Sequence, residues 1–250
     1  MKAFYDEFDY PGYWRGRDYE DKAEKIALKK LFALISQRNS LIDVGAGFGR
    51  HTPLYAPFFK QCVLVDPSKK LLAEAKSRLA AYSGLTFRIG NAENLPAEPE
   101  SFQVALLVRV LHHLQEPEKA FREISMVLKP EGFLILEFAN KIHFLAQIKA
   151  FFEHNSSFAN DFSPAEKRSD ASIREGKIIF SAHHPKKIEK DLKEAGFTII
   201  ICLSVSNLRL PLIKRIIPLP FLLSLENILQ GPLAKFYFGP SIFILARKVS

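Results

Sequence analysis

The sequence predicts an α/β protein built on a doubly wound parallel sheet, and three observations carry that expectation. An apolar run ending Leu41-Ile42-Asp43-Val44 is followed by Gly45, Gly47 and Gly49, then by a second apolar run closing on an acid, Val63-Leu64-Val65-Asp66. Strand-like and helix-like segments alternate from residue 40 to residue 138, the pattern of successive βαβ units. The first strand-like segment, 40–44, is apolar in character, as expected of a parallel strand covered on both faces.

Taken in order, residues 10–19 (YPGYWRGRDY) are aromatic and basic with turn-forming glycines, and read as a flap. Ala23, Ile26, Ala27 and Leu31 recur at helical spacing and predict a helix over 20–36. The first strand is 40–44, followed by a helix at 50–59, a strand at 62–65 and a helix at 68–82. Strands at 85–89 and 103–108, a helix at 117–128 and a strand at 132–138 complete the regular part. Residues 141–180 break the alternation with a helix-like stretch at 144–152 and a polar run at 163–176, too long for an ordinary connection. A helix at 185–195 stops at Gly196, where glycine suits the left-handed residue beyond a helix end, and a strand at 197–203 follows. His183 and His184 precede Pro185 and suit a helix cap or solvent exposure. A second insertion, 207–239, separates that strand from the last one, 241–246. The expected organisation is one domain over 1–250. It divides into a flap and helix (1–37), a ligand-binding core (38–140), and two lids (141–180 and 207–239) whose apolar residues cover the site.

The glycine loop narrows the chemistry. Glycine lets the backbone approach a ligand closely and adopt turns that a side chain forbids, and an acid at the end of the next strand can accept hydrogen bonds from both ribose hydroxyls. A nicotinamide fingerprint places its third glycine one position later than Gly49. Asp43, two residues before the first glycine, suits a cationic amine rather than a diphosphate. Asp66 also stands where a cap for the helix opened by Pro67-Ser68 is expected.

Four further phrases follow in order: Arg88-Ile89-Gly90-Asn91-Ala92-Glu93-Asn94-Leu95-Pro96, Ser101-Phe102-Gln103-Val104-Ala105, Val110-Leu111-His112-His113-Leu114 and Val127-Leu128-Lys129-Pro130-Glu131-Gly132-Phe133-Leu134. With the glycine loop, residues 38–140 resemble the class I S-adenosylmethionine-dependent methyltransferases, in their small-molecule branch. The resemblance implies a Rossmann-like sheet of seven strands in the order 3-2-1-4-5-7-6, with the last strand antiparallel. It implies S-adenosylmethionine as cofactor, held by Asp43, Gly45, Ala46, Gly47, Gly49, Asp66 and Pro67. Asn91 and Ala92 stand where the family commonly contacts adenine through an aspartate; asparagine offers a carbonyl oxygen without the charge. Gln103, Met126 and Glu131 also depart from the family's commoner residues.

His112 and His113 follow the fourth strand, at the sheet edge where ligands bind in open α/β folds. Histidine titrates near neutrality, so either can accept the proton of a hydroxyl or amine, although one of the pair can equally point into the core. Arg109 ends a buried strand, where an unpaired charge costs too much to leave, so it belongs to the site or to a structural ion pair. In the flap, Tyr13 and Arg17, with Trp14, Arg15 and Tyr19, either close over the methionine end of the cofactor, where an arginine binds a carboxylate bidentately, or pack on the first helix.

At 250 residues and 48% hydrophobic, the chain can bury one sizeable core. The formal charge of +8 invites a nucleic-acid partner, but the cations are dispersed as pairs such as Lys29-Lys30 and Lys214-Arg215, as on solvated helix faces. No Asn/Asp-Pro-Pro-Tyr/Phe motif follows the fourth strand, against nucleobase amine chemistry. Cys62 and Cys202 read as packed thiols, nothing resembles a zinc site, and no apolar run reaches the roughly 18 residues of a membrane span. The N-terminus has no signal-like apolar core, so a cytoplasmic location is expected. The function expected is methyl transfer to a small or lipid-like molecule. The alternatives are an RNA or protein methyltransferase, and a non-catalytic cofactor-binding protein at a membrane surface, the latter suggested by the alternation of basic and apolar residues over 208–223.

Overall fold

Burial on both faces makes the central strands. In the computed structural model, which describes residues 10–168 and 179–249, every residue of β1 (Ser40–Val44) is buried, as are all but the first of β2 (Gln61–Asp66). The remaining strands are β3 (Leu85–Ile89), β4 (Phe102–Leu107), β5 (Leu128–Ala139), β6 (Phe197–Val205) and β7 (Ser241–Lys248). They form one seven-stranded sheet in the order β3-β2-β1-β4-β5-β7-β6. The pairs β3–β2, β2–β1, β1–β4 and β4–β5 are parallel, whereas β7 runs antiparallel to both neighbours. The order reverses between β1 and β4, so the loops leaving their carboxyl ends diverge and open a crevice.

Alternate residues of each strand feed two cores. Ile42, Val44, Val65, Leu107 and Leu136 pack with α3 (Pro117–Val127) and α5 (Pro185–Glu194) on one face. Leu41, Leu64, Leu106 and Ile135 pack with α1 (Asp18–Ala33) and α2 (Lys69–Arg78) on the other. Asp43 shares its face with Leu41, as period-two alternation requires. Cys62 is buried and Cys202 half-buried, both as free thiols, and burial pushes them up to about 12 and about 11.

Several boundaries differ from the sequence expectation for physical reasons. The helix expected at 50–59 is a single turn, Thr52–Tyr55, followed by a 3-10 turn, Ala56–Phe58, because Pro57 has no N–H to continue the ladder. The helix expected at 68–82 closes at Arg78. Strand β5 begins at Leu128 rather than 132 and enters through a register shift opposite Phe102 and Val104. The first insertion forms α4 (Phe144–Phe152), a 3-10 turn and a two-stranded ladder, Ala165–Glu166 with Ser181–Ala182. The rest of its polar run, at 169–178, lies outside the described residues, as do residues 1–9 of the flap. The second insertion forms α6 (Pro211–Ile216) and α7 (Leu219–Ala234), divided at Pro218. Helix α7 lies on β6 and α1, tied there by Glu226, which accepts from Tyr19 Oη at 2.6 Å and from Ser206 N at 2.8 Å. His184 caps α5 as expected, its Nδ1 accepting from Lys186 N at 3.2 Å. Among the described residues no helix is long and apolar enough to cross a membrane.

Candidate active site

The loop after β1 is fastened before any ligand is considered. Gly45 and Ala46 donate their N–H groups to Val65 O at 2.7 and 3.0 Å. Gly45 has φ +75°, and a Cβ there would lie 2.2 Å from Val110 Cγ2, so glycine is required by backbone conformation and by contact. Gly49, at φ +73°, meets Leu79 instead, where a Cβ would lie 2.5 Å away. Asp66 joins the loop to the next unit: its Oδ2 accepts from Gly47 N and its Oδ1 from Ser68 N, each at 2.8 Å. The cap of α2 is Ser68, whose Oγ accepts from Leu71 N at 3.1 Å. Asp66 is therefore not the helix cap.

A cavity of about 190 Å³ occupies the crevice. Gly45, Gly47, Asp66, Pro67, Asn91 and Ala92 line one side, Arg109, Val110 and His113 come from the loop after β4, and Leu71 and Leu114 add apolar wall. Eight of the residues singled out in the sequence thus meet around one space. Asn91 Oδ1 already accepts from Glu93 N at 3.0 Å, which leaves one lone pair for a ligand. The residues fit an adenosine-containing cofactor: a carboxylate beside the glycine loop for the ribose diol, and apolar walls with one amide for the base.

Other expected site residues fall elsewhere. Asp43 is buried outside the cavity and accepts from Tyr55 Oη at 2.6 Å. Burial pushes its carboxyl up to about 7, against the opposing Tyr55 hydrogen bond. Neither Ala46 nor Gly49 lines the cavity, because one faces the core and the other meets Leu79. His112 is buried against His113 and Phe180, its ring centroid 4.5 Å from that of Phe180, and burial holds its pKa well below the usual range. Of the two histidines, only His113 lines the cavity. His113 Nδ1 lies 2.7 Å from Ile179 O, so that nitrogen carries the proton and Nε2 is left as the basic atom. Burial lowers its pKa, keeping the ring neutral near pH 7.

Arg109 adopts φ +63° and donates its backbone N–H to Glu137 Oε2 at 2.9 Å. Its side chain meets Glu24, which is wholly buried and also binds Arg50; Arg50 in turn reaches Asp21 Oδ1 at 2.6 Å. Burial opposes ionisation of Glu24, but the Arg109 and Arg50 guanidiniums outweigh it and hold the pKa well below the carboxylate range. The Trp14 ring centroid lies 3.5 Å from the Arg50 guanidinium carbon and 5.4 Å from that of Arg109. This knot was missed in the sequence, although Glu24 sits on the apolar stripe of α1 between Ala23 and Ala27 and Glu137 interrupts the apolar run Leu134-Ile135-Leu136.

A second cavity, of about 340 Å³, shares Arg109 with the first, the residue lining both. Tyr13 and Arg17 line this second space rather than the first, with the Arg17 guanidinium carbon 4.0 Å from the Tyr13 ring centroid. Tyr19 is buried on Glu226. The insertions contribute His143, Lys167, Phe180 and Arg209 to the lining. Three of these four side chains are basic, so the described part of the wall is charged.

With this geometry in place, the comparisons are specific. Residues 42–136 match the family model described as a methyltransferase domain. That segment is similar to methyltransferase domains, and the sheet around it, with β7 antiparallel, has the class I fold. The uncharacterized methyltransferase YcgJ of Bacillus subtilis is 28% identical over 166 residues, 65% of this chain and 63% of that protein. The demethylmenaquinone methyltransferase of Chlamydia pneumoniae is 36% identical over 112 residues, 44% of this chain and 48% of that protein. The chain therefore spans about half to two thirds of these curated relatives. A crystal structure of an S-adenosylmethionine-dependent methyltransferase from Thermotoga maritima superposes with a TM-score of 0.61 at 21% identity, covering 99% of this chain and 100% of that one. At that identity the likeness concerns the methyltransferase fold.

Proposed function

We propose that the protein transfers a methyl group from S-adenosylmethionine to a small or lipid-like acceptor. The observation that carries this reading is the pair of cavities meeting at Arg109, one built for an adenosine-containing cofactor and the other open to an acceptor. The cofactor, when bound, supplies a methyl group on a sulfonium. Asp66, Asn91 and the backbone at Gly45 and Gly47 hold the nucleoside, and Pro67, Leu71, Ala92 and Val110 exclude water from it. His113 faces the same space as a neutral imidazole whose Nε2 accepts the proton released by a hydroxyl or amine acceptor. In-line displacement at a sulfonium gains much of its rate from positioning, which the buried Glu24–Arg50–Arg109 knot secures beneath the β4 loop. The name of the Chlamydia relative supports the lipid-like end of the acceptor range. Calorimetric titration with S-adenosylhomocysteine and with NAD tests the assignment: heat with the first and none with the second is expected, and the reverse pattern removes it.

A second reading, peripheral contact with an anionic lipid surface, is favoured by where the insertions put their apolar side chains. Phe221, Leu225 and Ile228 on α7, Leu212 and Ile216 on α6, and Phe151 and Phe152 on α4 are exposed, with Lys149, Arg215 and Lys235 among them. The two insertions meet where Phe144 stacks on Phe238 at 4.7 Å. Apolar residues interleaved with cations match an interface whose headgroups are anionic. Flotation with anionic vesicles but not with neutral ones is expected, and its loss in Phe221→Asp/Ile228→Asp identifies the face; absence of flotation with both vesicle types refutes the reading.

A further inference from the structure

The second cavity has more positive charge than its own carboxylates can neutralise. Arg17, Arg109, Lys167 and Arg209 line it, against Glu20 and Glu137. Arg109 is matched by Glu24, and Glu137 accepts from Arg109 N and from Ser241 Oγ at 2.5 Å. Glu20 Oε1 is held by Lys214 at 2.8 Å. Arg17, Lys167 and Arg209 make no ion pair among the described residues, and the groups around the space feel one another. Burial lowers the pKa of Lys167, and Lys149, Lys141 and Arg209 push the same way. Burial also lowers Arg209, with Arg109 and Arg17 adding to the effect and Glu20 opposing it. His143, on the same wall, is held down at about 4 by burial, Arg209 and Lys167.

A second, independent feature points into the same space. Ser206 follows β6 in the left-handed region at φ +62°, a conformation a serine rarely keeps unless its surroundings impose it. Here Glu226 imposes it, through Ser206 N. The side chain is buried, with 3% of the residue exposed, it lines the cavity, and its Oγ has no hydrogen-bond partner among the described residues. A hydroxyl carried there at such conformational cost needs a partner from the occupant.

We propose that the second cavity recognises an anionic group on the methyl acceptor, a carboxylate or a phosphate, through Arg17, Lys167, Arg209 and the Ser206 hydroxyl. The inference rests on reading the chain as a methyltransferase whose acceptor enters this cavity. A cationic ligand is the competing occupant, since Glu20 Oε2 is also buried there without a partner among the described residues. Three unmatched cations against that one half-engaged carboxylate decide for the anion. The carboxylate of the cofactor's own amino-acid end is the other source of the same chemistry, and the test separates it.

Thermal shift and calorimetry on the full chain saturated with S-adenosylhomocysteine, using four probes that share one ring, provide that test. 4-Hydroxybenzoate and phenyl phosphate are expected to bind and to weaken with added salt, and 4-hydroxybenzamide and tyramine are not. Lys167→Gln/Arg209→Gln should lower anion affinity at least about tenfold, and Ser206→Ala should lower it less, while S-adenosylhomocysteine affinity moves by under about twofold. Equal binding of the amide or the amine, or no binding of either anion at millimolar concentration, overturns the proposal. So does a tenfold loss of S-adenosylhomocysteine affinity in the double variant, which would assign the cluster to the cofactor. If the unaltered protein fails to bind S-adenosylhomocysteine at all, it is the methyltransferase reading that falls, and the same anion titration on the protein alone still decides this one.

Discussion

Replacing Asp66 by alanine should weaken both the fold and the cofactor site, by amounts that follow from its contacts. The two carboxylate oxygens each accept a backbone N–H at 2.8 Å, from Gly47 and from Ser68. An orphaned buried donor costs about 1–3 kcal/mol. Because Asp66 lines a cavity, water can reach the vacated space and the lower end applies, giving a total of about 2–3 kcal/mol. For a chain of this size that corresponds to a fall in Tm of about 4–12 °C. The charge-assisted hydrogen bonding lost to a ribose hydroxyl is worth about 1.5–3 kcal/mol, or about 10- to 150-fold in the Kd for S-adenosylhomocysteine. Asp66→Asn keeps one acceptor oxygen but turns an amide N–H₂ toward the other backbone donor, so it should fall between the parent and the alanine variant in stability. Urea denaturation and calorimetric titration at a temperature where all three proteins are folded provide the measurements. A lowered Tm with unchanged affinity would reduce Asp66 to a tie between the glycine loop and α2, and an unchanged Tm would refute the two hydrogen bonds themselves.

His113→Ala should retain cofactor affinity and lose turnover by up to about a hundredfold if Nε2 accepts a proton; turnover of the parent should then fall as acid protonates the ring, and a flat pH profile in both proteins would leave positioning alone. Glu24→Ala leaves Arg50 and Arg109 buried without their shared carboxylate, and should cost about 3–5 kcal/mol in chemical denaturation; a loss under about 1 kcal/mol would mean that the knot is hydrated. Gly45→Ala must adopt a left-handed φ and drive a methyl into Val110, for a loss of about 2–5 kcal/mol, part of which Val110→Ala should restore; no rescue would show backbone conformation alone to be limiting. Asp43 binds its proton more tightly in the folded state, at about 7, than at its ordinary 3.8. The stability it contributes is therefore complete below about pH 4 and is lost as the pH rises toward 7. Asp43→Asn, which can still accept from Tyr55, should gain on the parent across that window in urea denaturation, and parallel stability curves would contradict the burial argument.

The fold could be read from the chain because its determinants are local and periodic. Largely apolar runs at β1 and β2 announce strands buried on both faces, and Gly45, Gly47 and Asp66 mark a turn and an acid whose positions follow from sequence spacing alone. His113 and Asn91 lie one loop beyond their strands, so placing the strands placed them. Helix ends were legible only to within a turn: Pro57 broke the helix expected at 50–59, whereas 68–82 shortened to Lys69–Arg78 without any comparable signal. What the sequence could not supply were groups joined across the sheet. Asp43 belonged to the loop by spacing, yet strand alternation turned it toward Tyr55 and away from the cavity. Glu24 and Arg109 are 85 positions apart and meet because β4 lies beside β1 and α1 covers that face. Arg17, Lys167, Ser206 and Arg209 come from a flap, two insertions and a strand end, and no periodicity links them. Apolar spacing reports which way a residue faces within its own element; the company a charge keeps depends on the order in which the strands pair, which is decided when the whole chain has folded.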